Sequence, residues 1–533
     1  MMKPTSKHVV RGALVLTIAG LISKVLSATY RIPLQNLTGD VGFYIYQQVY
    51  PFIGAAMILS LYGFPVAVSS LAVETKRSGR AFTLRHFFIP VFVVLFVING
   101  AAFFIIFLGA PVFAQLSGEP TFTSLYRTVA FLFLFVPIIA LLRGAFQGTG
   151  DMAQTAYSQM IEQVVRVIII IGASYLVFSK ELHVNDIGFA GIFASIAGFI
   201  VIIVYLLYQF FKSNIYEREK KLEDSIRWKY VFSTCMTLGI AASLNQLILI
   251  FIQFADVLTL VPNLIEHGFT MLEAREWKGI FDRGQPLIQF GVVFGSSFAL
   301  ALIPAITQHD YHLKQTNLRT IQDALSLSFY LASGATIGLI CILPEANLLL
   351  FMDQKGTFSL QVLVVSILIT SVAITCSAIL LSRRQWKRIL IAIVFMFFVK
   401  YLLNELLVPS FGITGSSVAT ILSLLVFLFI IFHKLKDVRF VRAVRWKAYM
   451  IATFGMTVYL LIMKTTIYPL LQLSRIGLLC YVLFIVVCGA FIYLILLLRY
   501  DAFSTRQISN LPLSSFLLTL KKYVKTIITW RKR

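Results

Sequence analysis

Long apolar stretches alternate with short polar breaks from one end of the chain to the other. Fourteen of these stretches run to about 20 residues each. They lie near 12–34, 42–68, 87–110, 124–143, 154–178, 187–211, 230–254, 280–305, 322–344, 358–381, 387–408, 413–433, 448–470 and 475–498. About 20 apolar residues suffice for a helix to cross a hydrocarbon core of roughly 30 Å, and a helix satisfies its own backbone polar groups there. The pattern therefore predicts an all-α polytopic membrane protein with about 14 transmembrane helices. The first stretch follows Lys3, Lys7 and Arg11, as a secretory signal would. It lacks a small-residue cleavage site and itself contains Lys24 and Arg31, so it is expected to be a retained helix.

Weak internal echoes group the spans. Pro65 in GFPVAVSS matches Pro304 in ALIPAITQ, Arg166 matches Lys400, and Gly188 and Gly191 match Gly412 and Gly415, at offsets of 239, 234 and 224. Steadily shrinking offsets are what two diverged copies with deletions would give. On this reading residues 1–211 form an N-terminal lobe of spans 1–6, and 212–229 a charged cytoplasmic linker. Residues 230–433 form a C-terminal lobe of spans 7–12, residues 434–499 carry two appended spans, and 500–533 are a basic cytoplasmic tail that reads as a membrane-surface helix.

Composition agrees with the pattern: of 533 residues 59% are hydrophobic and 13% charged, with a mean hydropathy of +0.86. A net charge of +23 would suggest nucleic acid in a soluble protein, but the placement of the basic residues changes that reading. With the N-terminus cytoplasmic and fourteen spans, 34 of the 46 lysines and arginines fall on the inner side, eight fall outside, and four lie within spans. That asymmetry orients the protein in its membrane with both termini cytoplasmic, facing anionic lipid headgroups. The basic charge thus reads as topology and lipid contact, with no nucleic-acid partner. Cys235, Cys341, Cys376, Cys480 and Cys488 all fall in apolar segments without a C-x-x-C pair and read as packing residues. His309, Asp310 and His312 form a short cluster that reads as a solvated helix start, so no metal is expected. Phosphate-loop and serine-hydrolase motifs are absent from the sequence, and no cofactor is expected.

Charges within spans are costly and mark cavities or partners. Lys24 and Arg31, seven apart, share one face of the first helix, where two cations would suit a phosphate-bearing substrate. The alternative for Arg31 is that it snorkels to the headgroups. Glu162 and Arg166, four apart with the acid first, form an expected intramembrane ion pair in which each neutralises the other. Just before them Gly144 and Gly148 make a G-x-x-x-G step that allows close helix contact, and Gly150 supplies a turn. The outer loop 273–291 ends in Asp282 and Arg283 at the mouth of the eighth span, where Arg283 would offer a third cation to an anionic headgroup. Asp256, Lys400, Asn404 and Glu405 are candidates for a coupling ion or proton, with Asp256 expected at the surface at the end of the seventh span.

The stretch LRGAFQGTGDMAQTAYSQMIEQVVRV, with ISKVLSATYRIPL and FDRGQPLIQFGVVFGSSFALALIPAIT, resembles the polysaccharide-exporter branch of the multidrug/oligosaccharidyl-lipid/polysaccharide exporter superfamily. Within that branch it is similar to stage V sporulation protein B-like and lipid II flippase-like proteins. Arg143, Gly144, Gln147 and Gly148 carry the motif. The resemblance implies two pseudo-symmetric six-helix lobes around a central cavity, two C-terminal helices, and alternating access without ATP that moves an undecaprenyl-diphosphate-linked sugar outward. It also implies first-helix cations in the cavity, where Lys24 and Arg31 stand. The lipid II flippases carry a further cation in the second span, and this chain has YPFIGAAMIL there without one. Two rivals remain. A multidrug/cation antiporter of the same superfamily would want acidic and aromatic cavity residues. An integral glycosyltransferase or polymerase would want a large outer loop with paired carboxylates, whereas the longest outer loop here is about 25 residues. A transporter rather than an enzyme is expected, with a polymerase or glycosyltransferase as a partner.

Overall fold

The computed structural model describes residues 20–523 except 21, 24, 79–81, 214, 216–226, 302–313, 436–443, 469–473, 510–514, 516 and 517; the side chains of 298–301, 314–317, 467, 506 and 509 are also left undescribed. The described residues are helical throughout the expected spans, with no strand among them. Among the described residues eleven helices are long and apolar enough to cross a membrane. Two of them, Val25–Arg77 and Trp386–His433, are each two helices joined at a break. The breaks fall at Gly39 (φ 70°) and Gly412 (φ 57°), a backbone region that costs a residue with a Cβ but not glycine. Large apolar side chains such as Leu108, Phe429, Phe454 and Ile476 stand exposed at mid-helix or helix ends. In water they would be a liability, whereas in a bilayer they are the surface that faces lipid.

The chain divides into two compact units. The first comprises residues 1–282 with 404–412 and contains α1 (Arg31–Ile58), α2 (Phe64–Arg77), α3 (Ile89–Leu116), α4 (Leu132–Thr149), α5 (Met152–Phe178), α6 (Asp186–Lys212), α7 (Ile240–Glu266) and α8 (Met271–Asp282). The seventh span thus groups with the first six. Small residues set the close approaches in this unit. A Cβ added to Gly144 would lie 2.4 Å from the Val68 Cβ, and one added to Gly148 2.6 Å from the Ala72 Cβ, so the G-x-x-x-G step seats α4 directly on α2. Gly150, at φ 90°, then turns the chain into α5, whose first turn is capped by the Asp151 carboxylate accepting from the Ala153 N–H. Two π-helical segments, Leu59–Gly63 and Cys235–Gly239, meet at glycines, with the Gly63 Cβ position 3.0 Å from the Gly239 carbonyl oxygen. On α8, Gly279 lies so close to α1 that a Cβ would be 2.1 Å from the Asp40 carbonyl oxygen.

The second unit comprises residues 283–403 and 413–533, with α9 (Gly284–Ala301), α10 (Lys314–Phe351), α11 (Ser366–Ser382), most of α12 (Trp386–His433), α13 (Trp446–Ile462) and α14 (Arg475–Arg499). Tyr330, Met456, Leu478 and Tyr493 belong to an apolar cluster that ties α13 and α14 onto α10. Beside it lies a cavity of about 560 Å³ lined by apolar groups, among them Phe290, Phe294, Gly334, Gly338, Met456 and Gly489.

Candidate substrate-binding site

Arg31 is the first residue of α1 and is fully buried. Its guanidinium lies over the ring of Tyr50, 4.0 Å from the centroid. Tyr46 stands between them in the chain, its ring edge-on to Tyr30 (6.2 Å) and 6.1 Å from Tyr50, and the Tyr30 and Tyr46 hydroxyls are hydrogen-bonded. The three Arg31 guanidinium nitrogens meet no acceptor in good hydrogen-bond geometry among the described residues, although the Tyr30 hydroxyl, itself bonded to that of Tyr46, interacts with the guanidinium. Asp282 lies within electrostatic reach, but both its oxygens are taken by the Lys278 Nζ at 2.6 Å. A desolvated cation–π contact returns about 2 kcal/mol, while burying an ion costs on the order of several kcal/mol, so the tyrosines alone do not offset the charge. Burial also removes the snorkelling alternative: the side chain does not reach the surface. Lys24 lies outside the described residues.

The expected pair on α5 is present but is not a pair. The Glu162 Oε1 accepts from the Arg166 Nη2 at 2.6 Å, and its Oε2 accepts from the Arg143 Nη2 at 3.0 Å. Arg143 reaches across from α4 and is held by the Ser158 hydroxyl (2.9 Å) and the Ser60 carbonyl (3.3 Å). All three charged groups are buried, so one carboxylate faces two guanidiniums and a net positive charge remains. Arg166 also donates to the Met57 sulfur, and its Nε has no partner among the described residues. Gln147, one turn beyond Arg143, donates to the Thr155 hydroxyl across the α4–α5 turn.

The candidates of the second half are engaged. Asp256 is buried, against the surface position expected of it. The reason is that α7 continues to Glu266, almost three turns past it, and the Asn404 amide donates both to Asp256 (2.9 Å) and to the Thr259 hydroxyl (2.8 Å). Glu405, the next residue, points the other way and is exposed. Lys400 is fully buried with its Nζ donating to the Ser416 carbonyl (2.8 Å), the Ser416 hydroxyl (2.9 Å) and the Thr420 hydroxyl (2.8 Å), which uses all three ammonium donors. Arg283 is fully buried and is bidentate to Asp353, at 2.6 and 2.9 Å, over the Phe351 ring. Partial burial acts to raise the Asp353 carboxyl, but the hydrogen bonds and charge of Arg283 outweigh it and hold the group below the usual carboxylate range. Sequence reasoning missed one further fork. Glu119 is buried and receives the Arg275 Nε and Nη2 at 2.6 and 2.7 Å together with the Tyr44 hydroxyl at 3.1 Å, which fastens α8 to the loop after α3. His309, Asp310 and His312, read as a solvated helix start, lie outside the described residues, as do the 216–226 part of the linker and the end of the tail; no group of three or more metal-ligating side chains occurs among the described ones.

The sequence that bears these groups matches a known family over residues 9–309, that of polysaccharide biosynthesis proteins. The chain belongs to that family. Its relatives in Bacillus subtilis (strain 168) include the uncharacterized membrane protein YabM, 38% identical over 77% of this chain and 76% of that protein. Others are the lipid II flippase MurJ, 28% identical over 78% of this chain and 80% of that protein, and stage V sporulation protein B, 23% identical over 65% and 67%. Among solved structures, an inward closed conformation of the lipid II flippase MurJ matches with a TM-score of 0.65 over 92% of this chain and 99% of that one, at 12% identity. An inward-facing multidrug resistance transporter of the same superfamily matches with a TM-score of 0.55 over 80% and 99%, at 14% identity. The resemblance read from the RGAFQG and SQMIEQVVRV stretches is therefore borne out, and so is the all-α polytopic fold. Of these matches, MurJ is named a lipid II flippase and the multidrug resistance protein a transporter.

Proposed function

We propose that this member of the polysaccharide biosynthesis family carries a polyprenyl-diphosphate-linked sugar, a cell-envelope polysaccharide or peptidoglycan precursor, to the outer face of the bacterial plasma membrane. The observation that carries the proposal is Arg31: a buried guanidinium stacked on Tyr50 that meets no carboxylate and no acceptor in good hydrogen-bond geometry among the described residues. A diphosphate supplies both the charge and the oxygens that such a group lacks. Lys24, seven residues earlier in the sequence, is a second contact. Arg283 is committed to Asp353, so its part in headgroup binding would require that fork to open. The protein acts as a transporter, not an enzyme, by alternating access between two lobes driven by the membrane potential or an ion gradient. Both termini are cytoplasmic, as the distribution of basic residues favours. The antiporter alternative requires an unpaired cavity carboxylate for a cationic drug, and the unpaired buried group here has the opposite sign.

The test is reconstitution into vesicles with a panel of polyprenyl-diphosphate sugars, reading the accessibility of the headgroup to an external glycan-modifying enzyme. Protein-dependent transfer of at least one lipid-linked sugar is expected. Transfer of none of them, with a cationic dye extruded instead, would favour the antiporter.

A further inference from the structure

Arg143, Glu162 and Arg166 are arranged as a relay. Glu162 has one oxygen on each arginine, at 3.0 and 2.6 Å. A carboxylate held by a single arginine could not release it without being left buried and unpaired, which is strongly unfavourable. Held by two, it can release one and keep the other. The two arginines are not equivalent. Arg143 is fixed by three acceptors, the Ser158 hydroxyl, the Ser60 carbonyl and Glu162. Arg166 has Glu162 and the weak acceptor sulfur of Met57, and its Nε is unpartnered among the described residues. Arg166 is therefore the arginine that is free to move.

The direction of that movement follows from packing: α5 lies against α1, Arg166 touches Met57 of α1, and Tyr46 of α1 lies within electrostatic reach of both Arg166 and Arg31. Among the described residues the Arg166 Nε meets no acceptor, and the Arg31 nitrogens meet none in good geometry. We infer that Arg166 is a second substrate-positioning cation, which leaves Glu162 for the diphosphate group when that group binds Arg31, while Arg143 keeps Glu162 paired. This rests on the anionic-substrate reading above and deepens it.

The experiment titrates the full-length protein in nanodiscs with inorganic pyrophosphate and, separately, with farnesyl diphosphate. Losing one charge-assisted contact corresponds to about a tenfold to hundredfold weaker affinity, which is the expected result for Arg166→Gln, with Arg166→Lys between it and the wild type. Glu162→Gln, which releases Arg166, should bind severalfold tighter. Arg143→Gln should bind more weakly although Arg143 never touches the anion, and Arg143→Gln combined with Glu162→Gln should return to wild-type affinity or better. A purely structural cluster would lower thermal stability in all five variants and leave the affinity of the folded fraction unchanged. Misfolding cannot produce the gain expected of Glu162→Gln. Unchanged affinity in Arg166→Gln, or weaker binding in Glu162→Gln, would overturn the relay. If the wild type binds neither probe, or Arg31→Gln binds both as well as the wild type does, the anionic-substrate reading itself fails. Sensitivity to Arg31→Gln without sensitivity to Arg166→Gln sinks the relay alone. Tighter binding of farnesyl diphosphate than of pyrophosphate identifies the lipid-linked source, and equal binding counts against it.

Discussion

The Arg143 Nη2 lies 3.0 Å from the Glu162 Oε2, joining α4 to α5 through a carboxylate that also holds Arg166. This third member changes what substitutions at the site should do. A closed ion pair can be deleted as a unit, but a carboxylate shared by two arginines cannot.

Glu162→Ala should therefore destabilise the protein by about 3–5 kcal/mol, because it leaves buried guanidiniums without their anion. The Glu162→Ala, Arg166→Ala double variant should not recover, since Arg143 still loses its carboxylate. Thermal unfolding in detergent reads both. A double variant as stable as the wild type would mean that Arg143 does not depend on Glu162.

Gly279→Ala should loosen α8 from α1. The added methyl would stand 2.1 Å from the Asp40 carbonyl oxygen, which is backbone and cannot rotate away. Overpacking of this kind costs about 1–3 kcal/mol, and faster proteolysis in the segment between α7 and α8 is the expected readout. Wild-type resistance would show that the two helices are not held at this distance.

The fork between Arg283 and Asp353 predicts an acid-side dependence of stability. The folded-state carboxyl of Asp353 lies below its ordinary value, so its contribution is complete above the unfolded value of about 4 and is lost as pH falls through the lower folded value. Asp353→Asn should flatten stability over that window and lower it at neutral pH. An unchanged acid limb in the variant would show that the fork does not contribute.

Much of this was legible in the sequence, for reasons that can be given residue by residue. Apolar run length marks the spans because a bilayer imposes it, and the spacing of Glu162 and Arg166 marks their contact because a helix repeats every 3.6 residues. Arg143 was visible only as part of a motif. Its bond to Glu162 crosses from one helix to another, and no periodicity encodes that. Asp256 was misplaced because hydropathy falls at 255, whereas α7 runs on to Glu266 and Asn404, far along the chain, receives the carboxylate. The burial of Arg31 was likewise undecided by its position near a span end; the tyrosines 46 and 50 on the other side of the Gly39 break enclose it.

The orientation proposed from the basic residues predicts that a cysteine introduced at Ser225, in the linker, resists an impermeant thiol reagent in intact cells and reacts once the membrane is opened. Labelling from outside would reverse the topology.

The central claim is that Arg31 binds the substrate's phosphate. In vesicles containing a transported polyprenyl-diphosphate sugar, headgroup transfer by Arg31→Ala, compared at equal protein abundance, measures that claim most directly. The account predicts that Arg31→Ala abolishes transfer and that Arg31→Lys restores part of it, since a compact ammonium replaces a planar fork. Transfer by Arg31→Ala at the wild-type rate would contradict it.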